Sequence, residues 1–255
     1  MDINKYLRRI NYKKLHTVDE KTLNYLHETH VLNIPFENLD IHFKILIDLD
    51  LDSIYRKVIE NKRGGFCYEL NFLFSWLLLN LGFKSRIIAS RIYDDKGKIG
   101  PEYDHMSIFI EIDNKQYLAD VGFGDLFVKP LEIKIGFQSD GRNQFIIEKS
   151  NDEDYILSMI TEEFVIQKKY IFSLNKVKIS DFEKICFEKQ TNPLSYFVKN
   201  TICTKPTKSG RLTIFNNKII EKKGKKKFEK LINNEDELRL SLKTFFNIVL
   251  KTPIS

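Results

Sequence analysis

The hydrophobic period of this chain changes once, at Lys84, and that change limits the fold more than any other feature. Ahead of it, apolar residues recur at helical spacing. Over 67–81 they surround the helix on nearly every side, at Leu70, Phe72, Leu73, Phe74, Trp76, Leu77 and Leu78, so this helix must lie inside the protein, with Gly82 as its stop. Two helices precede it: one over 18–31, begun by a capping box of Thr17 and Glu20, and one capped by Asp52 that carries Ile54, Val58 and Ile59. Beyond Lys84 the pattern alternates with period two over 86–93, 105–112, 116–121, 145–148 and 155–158, which predicts antiparallel strands. A short helix over 181–190, strands over 211–215 and 218–222 joined at Asn216-Asn217, and a last helix over 235–246 capped by Asn233 or Asn234 complete the reading. Helices first, strands second and a mixed ending predict an α+β architecture of three small units packed into one body.

Charge and cysteine usage narrow the function. Of the net charge of +6, most comes from residues 218–230, where seven Lys face Glu221 and Glu229. With one aromatic, Phe228, and no recognition module, this run predicts a solvated hairpin face rather than a nucleic-acid site. No apolar stretch approaches the ~20 residues that cross a bilayer, and the first nine residues carry charges where a signal peptide is apolar, so a soluble cytoplasmic protein is expected. Cys67, Cys186 and Cys203 are an odd number without CxxC spacing, which argues against a disulfide framework and against a zinc ribbon, and permits a free thiol.

One cysteine stands out by position. In Arg63-Gly64-Gly65-Phe66-Cys67-Tyr68-Glu69-Leu70-Asn71, Cys67 opens the buried helix, where unpaired N–H groups and the macrodipole favour a thiolate and lower its pKa. A nucleophilic thiol needs a base, and the base needs an orienting partner. His16, His27, His30 and His42 lie in the helical segment, whereas His105 begins an alternating strand. A turn at Asp113-Asn114 folds the next strand back, which makes Asp120 the neighbour of His105. Val121-Gly122-Phe123-Gly124 follows at once, either as a plain chain reversal or as a backbone loop at the mouth of a cleft. Cys-His-Asp serves any acyl-cysteine chemistry, so a hydrolase or transglutaminase-like enzyme remains open beside a transferase. A non-catalytic anion-binding module built on the lysine run is the further alternative.

Cys67, His105 and Asp120 in that order, with Ile34-Pro35-Phe36-Glu37-Asn38, the strings RGGFCYELN and DVGFG, and the later Tyr170, Phe172, Asp181-Phe182, 191–197 and Gly210-Arg211-Leu212, closely resemble the arylamine N-acetyltransferase family. The resemblance covers nearly the whole length. It implies a cysteine-proteinase-like core: a helical bundle (1–83) with the nucleophile, an antiparallel β-barrel (84–190) with His105 and Asp120, and an α/β lid (191–255). It further implies acetyl-coenzyme A as cosubstrate, no metal, and aromatic amines or hydrazines as acceptors, in xenobiotic metabolism, with a monomer or weak homo-oligomer as the working form. By carry-over, Phe36, Tyr68, Ile92, Phe123 and Phe197 line the acceptor pocket. The backbone N–H groups of Cys67 and Asp104 form the oxyanion hole, Gly124, Leu194 and Ser195 contact coenzyme A, and Arg63 pairs with Glu37. The family's usual Thr-Ser-Pro is Thr191-Asn192-Pro193 here, and Glu188 stands where an aromatic side chain is common.

Overall fold

A computed structural model describes residues 1–250; the last five positions of the expected 191–255 unit lie outside the described residues. Helices α1 (Ile3–Arg9), α2 (Glu20–Asn33), α3 (Leu39–His42), α4 (Leu51–Tyr55, continued by a π-helical turn to Glu60) and α5 (Cys67–Asn80) occupy the first third, with a two-residue strand β1 (Phe36–Glu37) among them. Eight strands follow: β2 (Lys84–Ile92), β3 (His105–Ile112), β4 (Lys115–Ala119), β5 (Leu131–Glu132), β6 (Gly136–Ser139), β7 (Gln144–Lys149), β8 (Asp154–Ile160) and β9 (Ile166–Ser173). After them come a 3-10 turn (Ile179–Phe182), α6 (Glu183–Thr191), α7 (Tyr196–Lys199), strands β10 (Ile202–Thr207), β11 (Gly210–Phe215), β12 (Lys218–Lys223) and β13 (Lys226–Leu231), and α8 (Glu235–Phe246). The class is α+β, and among the described residues no helix is long and apolar enough to cross a membrane.

The eight strands form one antiparallel sheet in the order β5-β4-β3-β2-β9-β8-β7-β6, a nearly closed barrel. Its β3–β4 hairpin turns at Asp113 and Asn114, both with positive φ (48° and 64°), as a tight two-residue hairpin requires. Strand β3 is buried along almost its whole length because α5 packs on one side of it and the barrel interior lies on the other. Helix α5 is buried at Cys67, Tyr68, Leu70, Leu73, Phe74, Leu77 and Leu78, as its apolar circumference demands. The second sheet runs β1-β10-β11-β12-β13. Phe36 pairs with Thr204 and Glu37 with Cys203, while Phe36 also bridges to Gly65, two residues ahead of Cys67. A short piece of the helical region is thus the edge of the C-terminal sheet.

Several local expectations shift. Asp19, not Thr17, caps α2, its carboxylate accepting from the Thr22 N–H at 2.7 Å while the Thr17 hydroxyl donates to that same carboxylate. An anionic acceptor two residues nearer to the helix satisfies both the orphan N–H and the macrodipole. Asp50 likewise caps α4 in place of Asp52. The lysine-rich segment is the β12–β13 hairpin, with β13 exposed throughout and Lys218 and Lys227 flanking Glu229. It is a charged edge facing water.

Candidate active site

Cys67 is the first residue of α5 and is 4% exposed. The N–H of Phe66 is taken by Glu69 Oε2 at 2.7 Å, which fixes the entry into the helix. Burial pushes the Cys67 thiol well up; Lys189 opposes this, while Cys186, Asp120 and Asp104 add to it. The expectation of a lowered pKa is therefore overturned in this arrangement, because loss of water outweighs the helix N-terminus. Ionisation depends on a base that takes the proton.

His105, the base that the sequence suggests, is placed by two links from α5, one on each side of it. The Tyr68 hydroxyl donates to the carbonyls of Tyr103 and Asp104 at 3.0 Å, and Asn71 Nδ2 donates to the carbonyl of Met106 at 2.6 Å. His105 is the residue between, so its backbone is pinned opposite the first turn of α5. Its Nε2 lies 2.7 Å from Asp120 Oδ2, with both groups fully buried. Burial alone would raise the Asp120 pKa, but the His105 ring, the Asn71 amide and the Gly122 N–H hold it below the usual carboxylate range. An ionised carboxylate only accepts, so Nε2 carries the ring proton and Nδ1 is the free basic nitrogen. The His105 ring is walled by Phe123 at 5.4 Å and Tyr170 at 5.5 Å.

Asn71 joins the whole. Besides Met106 it donates to Asp120 Oδ1 at 2.9 Å and accepts from the Val121 N–H at 2.9 Å. One turn beyond Cys67 on the same helix face, it fixes the thiol's helix against the carboxylate's loop. That loop runs so close that a Cβ on Gly122 would sit 2.8 Å from Cys67 Cα and 2.7 Å from both the Cys67 carbonyl oxygen and Asn71 Nδ2. Gly124, at φ +92°, turns the chain against Phe36 and Thr204, and its carbonyl accepts from Arg211 of β11. Beside this loop, Phe36, Asp120, Phe123, Gly124, Thr204 and Arg211 line a small cavity of about 20 Å³, which neither Cys67 nor His105 lines.

Behind Asp120, the fully buried His27 accepts the Asp120 N–H on Nε2 at 3.2 Å and donates from Nδ1 to the Val128 carbonyl at 2.9 Å. Burial lowers its pKa to about 4, partly offset by Val128 and Asp120, so it is neutral.

The aromatic residues form two walls. Phe36, Phe66 and Phe197 pack mutually, with centroids 4.6 to 6.2 Å apart, and Tyr68 adjoins Phe66 at 5.6 Å. Phe123 and Ile92 pack against the opposite, barrel-interior cluster. Ser195 caps α7 and its hydroxyl donates to the Lys189 carbonyl at 2.6 Å, whereas Leu194 is 77% exposed. Arg63 bonds Glu37 through two contacts and Asp40 through a third, and Lys57 bonds Asp40 and Glu69, a buried lattice of charge beneath the glycines that precede Cys67. Among the described residues no cluster of three or more His, Cys, Asp or Glu is arranged to hold a metal. Sequence reasoning missed Asn71, His27 and Phe66; an amide in an otherwise apolar helix one turn after a cysteine was the readable signal, because a buried amide needs partners.

Comparison with known proteins adds the lineage. The sequence model of an N-acetyltransferase family matches residues 19–254. Arylamine N-acetyltransferase 1 of Bos taurus is 30% identical over all of this chain and 97% of its own length. The solved arylamine N-acetyltransferase of Salmonella typhimurium, 25% identical, superposes with a TM-score of 0.90 over 96% of this chain and 90% of that one. A Mycobacterium marinum arylamine N-acetyltransferase in complex with CoA, 24% identical, shares the fold at 0.89 over 97% and 93%. Matched along almost its entire length by sequence and by shape, the chain belongs to the arylamine N-acetyltransferase family.

Proposed function

We propose that this protein transfers an acetyl group from acetyl-coenzyme A to the nitrogen of aromatic amines and hydrazines, holding it between the two half-reactions on Cys67. One observation carries the reading: His105, bonded to Asp120, is pinned through Tyr68 and Asn71 opposite the turn that Cys67 opens. The relatives' names supply the substrate class, and the CoA complex of one of them supplies the donor.

In the first half-reaction the thiol gives its proton to His105 Nδ1 as sulfur attacks the thioester carbonyl, and coenzyme A leaves with a proton returned to its own sulfur. Asp120 orients the ring and stabilises the imidazolium formed in between. In the second, the amine attacks acetyl-Cys67, His105 takes its proton, and the thiol is regenerated. The kinetics are ping-pong. Exchange of one thioester for another is nearly balanced in free energy, which suits a thiol as a reversible carrier. The backbone N–H groups of Cys67 and Asp104 are the donors to the developing oxyanion.

Phe36, Tyr68, Ile92, Phe123 and Phe197 face the acceptor. Arylamines are weakly basic and enter such walls without the desolvation cost of an ammonium. Gly124, Leu194 and Ser195 are assigned to the coenzyme side. A reducing, cytoplasmic compartment suits three cysteines that are all free and buried. Incubation with acetyl-coenzyme A should add one acetyl group, mapped to Cys67 by mass spectrometry, and an arylamine should remove it. Cys67→Ala should take up none; turnover retained in that variant would refute the assignment.

A further inference from the structure

Two carboxylates act on Cys67, and each has its own partner. Asp120 is bonded to His105. Asp104, the residue ahead of His105, meets Lys189 of α6, whose Nζ lies 2.7 Å from Oδ1 with both side chains largely buried, 16% and 12% exposed. The same ammonium stands 5.2 Å from the centroid of Phe197, and Phe197 packs edge-on against Phe66, the residue ahead of Cys67, at 4.6 Å. Lys189 thus pairs with the residue ahead of the imidazole and, through Phe197, is linked to the residue ahead of the thiol. Its own position is set by the Ser195 hydroxyl, which donates to its carbonyl.

We propose that Lys189 is a positioning residue: its ammonium neutralises Asp104, so that Cys67 faces no unpaired carboxylate, and the ion pair ties the start of β3 to α6. This rests on the reading of Cys67 as the acyl carrier. The charged and titratable groups around the thiol are Asp104 just ahead of β3, His105 at the start of β3, Asp120 from the loop after β4, Lys189 and Cys186 from α6, and Tyr68 from its own helix. Of these, Lys189 is the cation that favours the thiolate, while Asp104, Asp120 and Cys186 oppose it. Removing Lys189 leaves Asp104 as a buried anion beside a group that must itself become negative, a like-charge arrangement that disfavours ionisation.

The test is the pH dependence of Cys67 alkylation by iodoacetamide, resolved from Cys186 and Cys203 by peptide mass. Lys189→Met should move the curve up by about one unit, slowing alkylation about tenfold at a fixed pH below the midpoint. Lys189→Arg should keep the wild-type curve. Asp104→Asn should move it down, and the double variant Lys189→Met with Asp104→Asn should return close to wild type. A Lys189→Met curve that superimposes on wild type, or a double variant displaced as far as Lys189→Met, would overturn the proposal. Should Lys189→Met fail to fold, Asp104→Asn decides alone: no shift, or a shift upward, overturns it. Alkylation uses no acetyl-coenzyme A, so a wild-type chain that accepts no acetyl group would refute the acyl-transfer reading separately.

Discussion

Gly122→Ala isolates the contact between the loop after Asp120 and the helix of Cys67. The added methyl would lie 2.8 Å from Cys67 Cα and 2.7 Å from the Cys67 carbonyl oxygen, both of them helix backbone that cannot rotate away. Carbon atoms in contact prefer about 3.5–4.0 Å, so the loop and the helix must part by about 0.7 Å or more. The third clash, 2.7 Å from Asn71 Nδ2, falls on the amide that holds Asp120. The variant therefore strains the link between thiol and carboxylate at both of its ends. Overpacking of this kind costs about 1–3 kcal/mol, a drop in Tm of about 2–10 °C for a chain of this size. Displacement of a catalytic group approaching ~1 Å costs about 10²-fold in rate. The assay is the rate of acetyl-Cys67 formation from acetyl-coenzyme A, followed by intact mass, beside a thermal melt. Gly122→Ala acetylating within about threefold of wild type with an unchanged melt would refute the reasoning.

Acid should destabilise the protein through its buried histidines. His27 falls from 6.5 to about 4 on folding, so the unfolded chain binds more protons; about 3 kcal/mol of stability present above pH ~6.5 is lost as pH falls to about 4. His30, pushed well below 6.5 by burial, adds to that slope. Urea denaturation across this window should show a flatter dependence for His27→Gln than for wild type; equal slopes would remove His27 as a cause. Arg63→Met strands Glu37, which is fully buried, and should cost about 3–5 kcal/mol in the same assay. Neutralising Lys225, Lys226 and Lys227 together should leave the KM for acetyl-coenzyme A unchanged, since all three are exposed; a raised KM would give the hairpin a part in donor capture.

The sequence made legible what neighbouring residues decide. Alternation with a turn at Asp113-Asn114 was enough to pair His105 with Asp120, and an apolar circumference was enough to bury the helix that Cys67 opens. What escaped depends on partners far along the chain. Strand β9 reads poorly because its first three residues, 166–168, face water and only Tyr170 to Phe172 are buried. Strand β10 contains Pro206, ordinarily a mark against a strand. It is tolerated because β1 ends its pairing at Thr204 and leaves that side of Pro206 without a neighbour. The thiol's raised pKa was hidden for a different reason: the helix N-terminus is a local signal, whereas burial comes from the barrel and from α6. Asn71 stood in plain view, but its three partners lie 35 to 50 residues downstream.

Strand β1 sets a condition on biosynthesis. Phe36 emerges from the ribosome early, yet the strand it must join, 202–207, arrives when four-fifths of the chain has been made. Until then the nascent first half exposes a sheet edge and leaves the cysteine's aromatic surround without Phe197. A polypeptide released before that point carries His105 and Asp120 but lacks the strand that seats Phe36, so the surround of Cys67 stays unfinished.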